Sequence, residues 1–125
     1  MSNRFLGIKQ ESKPTRYHSR KQEKRGSELL GLKVTSNSGA TAFAKGDARD
    51  QHLLVEFKTL TKPQKSHSLK KEWFTKNQEE AFATGRRFSA VAFDFGDGED
   101  YIAVSAEDFK EFYDAWKQLY AEEDS

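Results

Sequence analysis

Residues 46–58 read GDARDQHLLVEFK, from Gly46 to Lys58. The later half, Leu53 to Thr59, is dense in Leu, Val and Phe and bounded by polar residues, the pattern of a strand. Strand side chains alternate between faces. Leu53, Val55 and Phe57 therefore point one way, into a core, while Leu54, Glu56 and Lys58 point the other. A carboxylate and an ammonium on one face of a central strand are costly to bury unless they are paired or bind something. The polar run Arg49-Asp50-Gln51-His52 is suited to a hairpin connection. Folding there sets Asp47 opposite Val55 or Glu56 and gathers Asp47, Glu56 and Lys58 at one spot.

Two carboxylates supply hard oxygen ligands, which suit Mg²⁺ or Mn²⁺ better than zinc. A lysine beside them can orient or deprotonate a water, or offset charge on a phosphate. The E-x-K triplet alone reads more simply as a structural ion pair of Asp47 or Glu56 with Lys58. The Gly-Asp at hairpin distance, with apolar alternation between, favours a site.

At 125 residues the chain has the length of one domain with a modest core. A third of it is charged, yet 13% is aromatic, which favours a folded domain over a disordered one. It has no cysteine, so disulfides and thiolate zinc sites are excluded, and a cytoplasmic location is expected. No apolar run approaches membrane-spanning length, and no signal-peptide core opens the chain, so no membrane partner is expected; a small-molecule cofactor is not expected either.

The net charge of +1 hides an asymmetry. Residues 1–25 carry eight basic and two acidic side chains, residues 26–93 eleven and seven, and residues 94–125 two and eleven. The basic end suits a phosphate backbone, and beside a carboxylate cluster it makes DNA the expected partner.

Residues 1–18 read as a flexible basic arm, with Phe5, Leu6 and Ile8 available to pin it to the body or to a second subunit. The rest, 19–125, reads as one domain. Ser19 to Leu30 predicts a helix, with Ser19 as N-cap and Gly31 as stop. Its Lys21, Lys24 and Arg25 are candidate phosphate contacts. Lys33 to Thr35 begins a strand that runs into a small polar loop, and Lys45 precedes Gly46-Asp47 as a further phosphate contact. After Thr59 a polar loop carries Lys62 and Lys65, and its His67 reads as exposed. Ser68 is an expected cap for a helix from Leu69 to about Thr84, stopped by Gly85. Lys70 and Lys76 belong to its nucleic-acid side, while Trp73, Phe74, Ala81 and Phe82 supply apolar area. Phe88 to Phe95 reads as a buried strand, Gly96-Asp97-Gly98 as a turn and Asp100 to Val104 as the next strand. Ser105-Ala106-Glu107-Asp108 matches a capping box. The following helix carries Phe109, Phe112, Tyr113, Trp116, Leu119 and Tyr120 at helical spacing, a stripe expected to be core or dimer contact.

The arrangement Asp47, then Glu56-Phe57-Lys58 across a hairpin, resembles the PD-(D/E)XK nuclease superfamily. Gly46 stands where the eponymous proline would be, and Lys45-Gly46-Asp47 with Glu56-Phe57-Lys58 is similar to Holliday junction resolvases of the archaeal type and to small phage nucleases. The order of elements matches the restriction-endonuclease-like α/β fold, α-β-β-β-α-β with a mixed sheet, plus an extra strand and helix. The resemblance covers residues 19 to about 104. It implies a metal-dependent endonuclease acting on branched DNA, with Asp47, Glu56 and the backbone carbonyl of Phe57 on Mg²⁺ or Mn²⁺. It implies Lys58 at the attacking water, and Glu23 completing the site directly or through water, with Glu28 the competing residue. It further places Ser36 or Ser38, in the Ser-Gly loop, near a phosphate oxygen. Two symmetric cuts at a junction require two sites, so a homodimer is expected. The rivals are a nonspecific or nicking nuclease in phage DNA processing, a subunit that needs a partner, and a nucleic-acid-binding module without catalysis.

Overall fold

Strand β3, Leu53–Lys58, lies at the middle of a five-stranded mixed sheet of order β1-β2-β3-β4-β5. The computed structural model describes residues 15–34 and 47–124. The flanking strands are β1 (Lys33–Val34), β2 (Asp47–Arg49), β4 (Phe88–Phe93) and β5 (Tyr101–Ala103). The helices are α1 (Thr15–Leu30), α2 (Lys71–Ala83) and α3 (Ala106–Asp124). β3 and β4 are parallel and all other neighbours antiparallel. A parallel pair needs a crossover, and α2 supplies it.

Both faces of β3 are covered. Val55 and Phe57 join Ala48, Ala90 and Ala92 in a buried cluster on one face. Small side chains on β2 and β4 let α1 approach closely there. A Cβ on Gly26 would sit 2.4 Å from Cε1 of Phe57, so glycine is what permits this helix-to-sheet distance. On the other face lies α2. Its buried Asn77 donates through Nδ2 to the carbonyls of Leu54 (3.2 Å) and Ala90 (2.9 Å), tying helix to strands. Leu54 and Val91 are fully buried on this face, each contributing about 1.5–3 kcal/mol of apolar transfer.

The hairpin forms where the polar run predicts it. Oδ1 of Asp50 accepts the amides of His52 (2.8 Å) and Leu53 (2.9 Å), an Asx-type turn. These bonds hold the Asp50 carboxyl below the usual carboxylate range. At the other turn Gly96 has φ 79°, and a Cβ there would meet the Lys62 carbonyl at 2.5 Å.

Several boundaries differ from the sequence reading. α1 begins at Thr15, so it extends into the segment read as arm, and Ser19 is inside it rather than capping it. Residues 1–14 lie outside the described residues. α2 begins at Lys71, after an extended Lys70 that makes no side-chain cap bond, so Ser68 is no cap. Phe82 is 86% exposed and adds nothing to the core, because it lies on the far side of α2 from Asn77 and Ala81. Ser105 does cap α3, its Oγ accepting the amide of Asp108 at 3.1 Å.

The largest correction concerns α3. Its aromatic stripe is not covered by the described residues: the six side chains are 41–68% exposed. The helix meets the body through its early turns, where Phe112 packs on Phe88 with ring centroids 4.7 Å apart. Arg87 adds ion pairs with Asp108 and Glu111.

Candidate active site

The antiparallel register of β2 and β3 pairs Asp47 with Glu56, Ala48 with Val55 and Arg49 with Leu54. Paired residues point to the same face. Ala48 and Val55 take the core face under α1, so Asp47 and Glu56 share the face toward α2. They are 8% and 5% exposed, and Val91 flanks Glu56 on its other side. Two carboxylates are thus set side by side in a nearly dry position by the pairing of the strands alone.

Lys58 follows on the same face, with Nζ 3.9 Å from Oε1 of Glu56. The ammonium also lies 4.6 Å from the ring centroid of Trp73, a cation–π contact that steadies the charge without neutralising it. Trp73 in turn meets the edge of His67, at 6.3 Å and 78°. His67 is half-buried rather than exposed. Its Nδ1 lies 2.6 Å from the carbonyl of Asp94 and donates to it, and its ring packs on Phe93. Trp73, read from sequence as core, is therefore half-buried at the site. The signal for its role was positional: it opens the first turns of the helix that follows the Lys58 loop.

Beneath Lys58 the main chain is held from the other side. Gln22 of α1, 1% exposed, donates from Nε2 to the Lys58 carbonyl (2.7 Å) and to Asp100 (3.2 Å). Arg25 joins the same layer and pairs with Asp94 (2.9 Å) and Asp100 (2.8 Å). Those bonds raise its already high pKa. Asp94 further accepts Thr59 Oγ1 at 2.8 Å. Read from sequence as a phosphate contact, Arg25 is committed here to two buried acids, with a third of its side chain still exposed.

Glu23 is half-buried on α1. Burial pushes its carboxyl upward, and Arg20 partly offsets this. Glu28 is exposed on the same helix. α1 packs on the Phe57 face, across the sheet from Asp47 and Glu56. Among the described residues no group of three or more His, Cys, Asp and Glu gathers at metal-binding distance, so Asp47 and Glu56 come together and Glu23 does not join them. Phe57 directs its ring into the core, leaving its carbonyl between Glu56 and Lys58 in the chain.

Lys21 and Lys24 are exposed on α1. Lys62, Lys65 and Lys70 are exposed in the segment that leads from Lys58 to Trp73, at the same end of the sheet as the carboxylates. Lys76 is exposed and 4.0 Å from Glu72, one turn away on α2. Ser36, Ser38, Lys45 and Gly46 lie outside the described residues. No described helix is long and apolar enough to cross a membrane.

Compared with protein-family models, with curated proteins and with solved structures, the chain matches none.

Proposed function

We propose that the protein is a metal-dependent DNA endonuclease of the restriction-endonuclease-like kind, acting on branched DNA. The observation that carries this reading is the pairing of Asp47 with Glu56, with Lys58 two residues on along the same face. The order helix, three strands, helix, strand around a mixed sheet supports the fold assignment.

The donor set fits a hard divalent cation: two adjacent, nearly buried carboxylates with oxygen ligands only. Asp47, Glu56 and the Phe57 carbonyl would hold Mg²⁺ or Mn²⁺, and Glu23, which does not gather with them among the described residues, would join only through water. When bound, the ion lowers the pKa of a nearby water and offsets charge on the phosphate. Lys58, held by Glu56 and Trp73, orients the attacking water and neutralises charge on the phosphate oxygens. The water oxygen bonds to phosphorus, the bond to the 3′ oxygen breaks, and a 5′-phosphate and a 3′-hydroxyl remain. Lys21 and Lys24 on α1, and Lys62, Lys65, Lys70 and Lys76 around the Lys58 end of the sheet, supply positive charge for the backbone. Ser36, Ser38, Lys45 and the exposed part of Arg25 complete the proposed phosphate contacts.

The test is cleavage of labelled four-way junction, linear duplex and single-stranded DNA with Mg²⁺, Mn²⁺ or EDTA, beside Asp47→Ala. Metal-dependent, symmetric cutting of the junction, lost in Asp47→Ala, is expected. Cutting of all three substrates would replace the branched substrate with a general one. DNA binding with no cleavage under any metal would overturn the enzymatic reading.

A further inference from the structure

Helix α3 presents an apolar face that nothing in the described chain covers. Phe109, Tyr113, Trp116 and Tyr120 form one continuous aromatic run. Successive ring centroids are 6.1, 6.4 and 4.8 Å apart, and the ring planes are inclined by 19°, 19° and 39°. Phe112 and Leu119 widen the run, and all six side chains are 41–68% exposed. Charged groups flank it: Lys110 and Lys117 pair with Asp114 at 2.5 and 3.6 Å, and the Lys117 ammonium lies 4.5 Å from the ring centroid of Tyr113 at the edge of the run.

We propose that this face is the interface between two copies of the chain, joined through antiparallel α3 helices. Three observations select that occupant. The first is area. At about 150–250 Å² for each large side chain, those exposures leave on the order of 600 Å² uncovered, close to the roughly 800 Å² per partner of a stable interface. The second is charge. Ala106 to Asp124 carries seven acidic and two basic residues, which excludes nucleic acid and anionic lipid as occupants, while the like charge of two copies must be offset by the apolar area buried between them. The third is the spacing of the aromatics. The four aligned rings are separated by four, three and four residues, a series that reads the same in either direction. A two-fold interface must be complementary to itself, and this one is. Centred between Asp114 and Ala115, the antiparallel pair sets Tyr113 against the partner's Trp116 and Phe109 against the partner's Tyr120. The inference rests on α3 alone and does not depend on what Asp47 and Glu56 do.

Sedimentation of the full chain across nanomolar to micromolar concentration tests it. The mass is expected to double with concentration, and Trp116→Glu is expected to remain monomeric with unchanged far-UV circular dichroism and melting. The substituted position is exposed, so the fold is retained. The chain has no cysteine, which allows a second readout independent of stability. Tyr113→Cys mixed with Trp116→Cys is expected to form disulfide-linked dimers faster than either variant alone. A monomer at every concentration, or a dimer indifferent to Trp116→Glu, would overturn the interface. Crosslinking that favours like with like would overturn the antiparallel register.

Discussion

Asp47 and Glu56 stand directly opposite one another across the β2–β3 ladder, and both are nearly buried. Carboxyl groups in directly opposed positions can offer their oxygens to one ion, so a divalent cation received between them should stabilise the fold. Mg²⁺ or Mn²⁺ at ten times its dissociation constant contributes about 1.4 kcal/mol, worth roughly 3–6 °C in melting temperature for a domain of this size. Asp47→Asn is expected to fold and to lose the response to metal. Differential scanning calorimetry with and without Mn²⁺ reads both. An unchanged metal response in Asp47→Asn would place the cation elsewhere.

Lys58 is held between a carboxylate at 3.9 Å and the face of an indole at 4.6 Å. Removing its charge should slow cleavage by about 10²-fold or more, the scale of a positioned proton-transfer or charge-stabilising group. Lys58→Met keeps the aliphatic stem, so its melting point should fall only slightly. Single-turnover cleavage with saturating enzyme separates the chemical loss from any weakening of DNA binding. A Lys58→Met variant that cleaves at the native rate would leave the lysine a structural ion-pair partner.

The hairpin was legible because its two signals are local. Asp50 makes its turn within three residues, and Leu53–Lys58 alternates with period two. Turn length left Asp47 opposite Val55 or Glu56, and the ladder pairs it with Glu56. The role of Trp73 was not legible, since a tryptophan in a helix gives the same pattern whether it meets a core or a lysine from another element. The structural role of Arg25 was hidden for a related reason. Its basic neighbours suggest phosphate, and the acids it pairs with, Asp94 and Asp100, are 69 and 75 residues away. The α3 stripe carries a core pattern, and only the docking of the helix reveals that the face is uncovered. The sequence reading kept both outcomes for that stripe, core or contact between subunits. Among the described residues the stripe meets no core.

Arg25 joins α1 to the Lys58 end of the sheet. Arg25→Ala leaves Asp94 and Asp100 buried without their cation, and breaking such a pair from one side costs about 3–5 kcal/mol. The guanidinium is partly exposed, and Thr59 and backbone amides still serve Asp94, so a loss near 3 kcal/mol is expected. Arg25→Lys should recover only part of it, because an ammonium cannot bridge both acids in the fork geometry. Urea unfolding of the three proteins measures this. Equal stability of Arg25→Ala and the native chain would show the acids to be satisfied without Arg25.

The approach of Gly26 to Phe57 makes a steric prediction. Gly26→Ala places a methyl 2.4 Å from a ring that is itself packed in the core. Overpacking of this kind costs about 1–3 kcal/mol, against a helix-propensity gain of about 1 kcal/mol for replacing glycine. A net loss is expected. Phe57→Leu in the same chain should relieve the clash, so the double variant is less destabilised than the two changes added together. A double-mutant cycle by denaturant unfolding gives the coupling. Additive effects would mean that α1 accommodates the methyl by moving.

Burial raises the Glu23 carboxyl above its ordinary value, with Arg20 opposing. The sign of the pH effect follows. Between the unfolded and folded pKa values the native chain holds a proton that the unfolded chain has released. Stability contributed by this group therefore falls as pH rises through that window, and above the folded pKa the cost of burying the charge is present in full. Glu23→Gln removes this dependence. The variant is expected to melt above the native protein at neutral pH in the absence of metal, with the advantage shrinking as pH falls below the ordinary glutamate pKa. Melting temperatures of both proteins from acid to neutral pH supply the comparison. A difference that stays constant with pH would mean that Glu23 titrates alike in the folded and unfolded chains. Added Mn²⁺ then distinguishes a structural from a liganding role: a cation that draws on the Glu23 carboxylate restores the stability of the native chain at neutral pH and leaves Glu23→Gln behind.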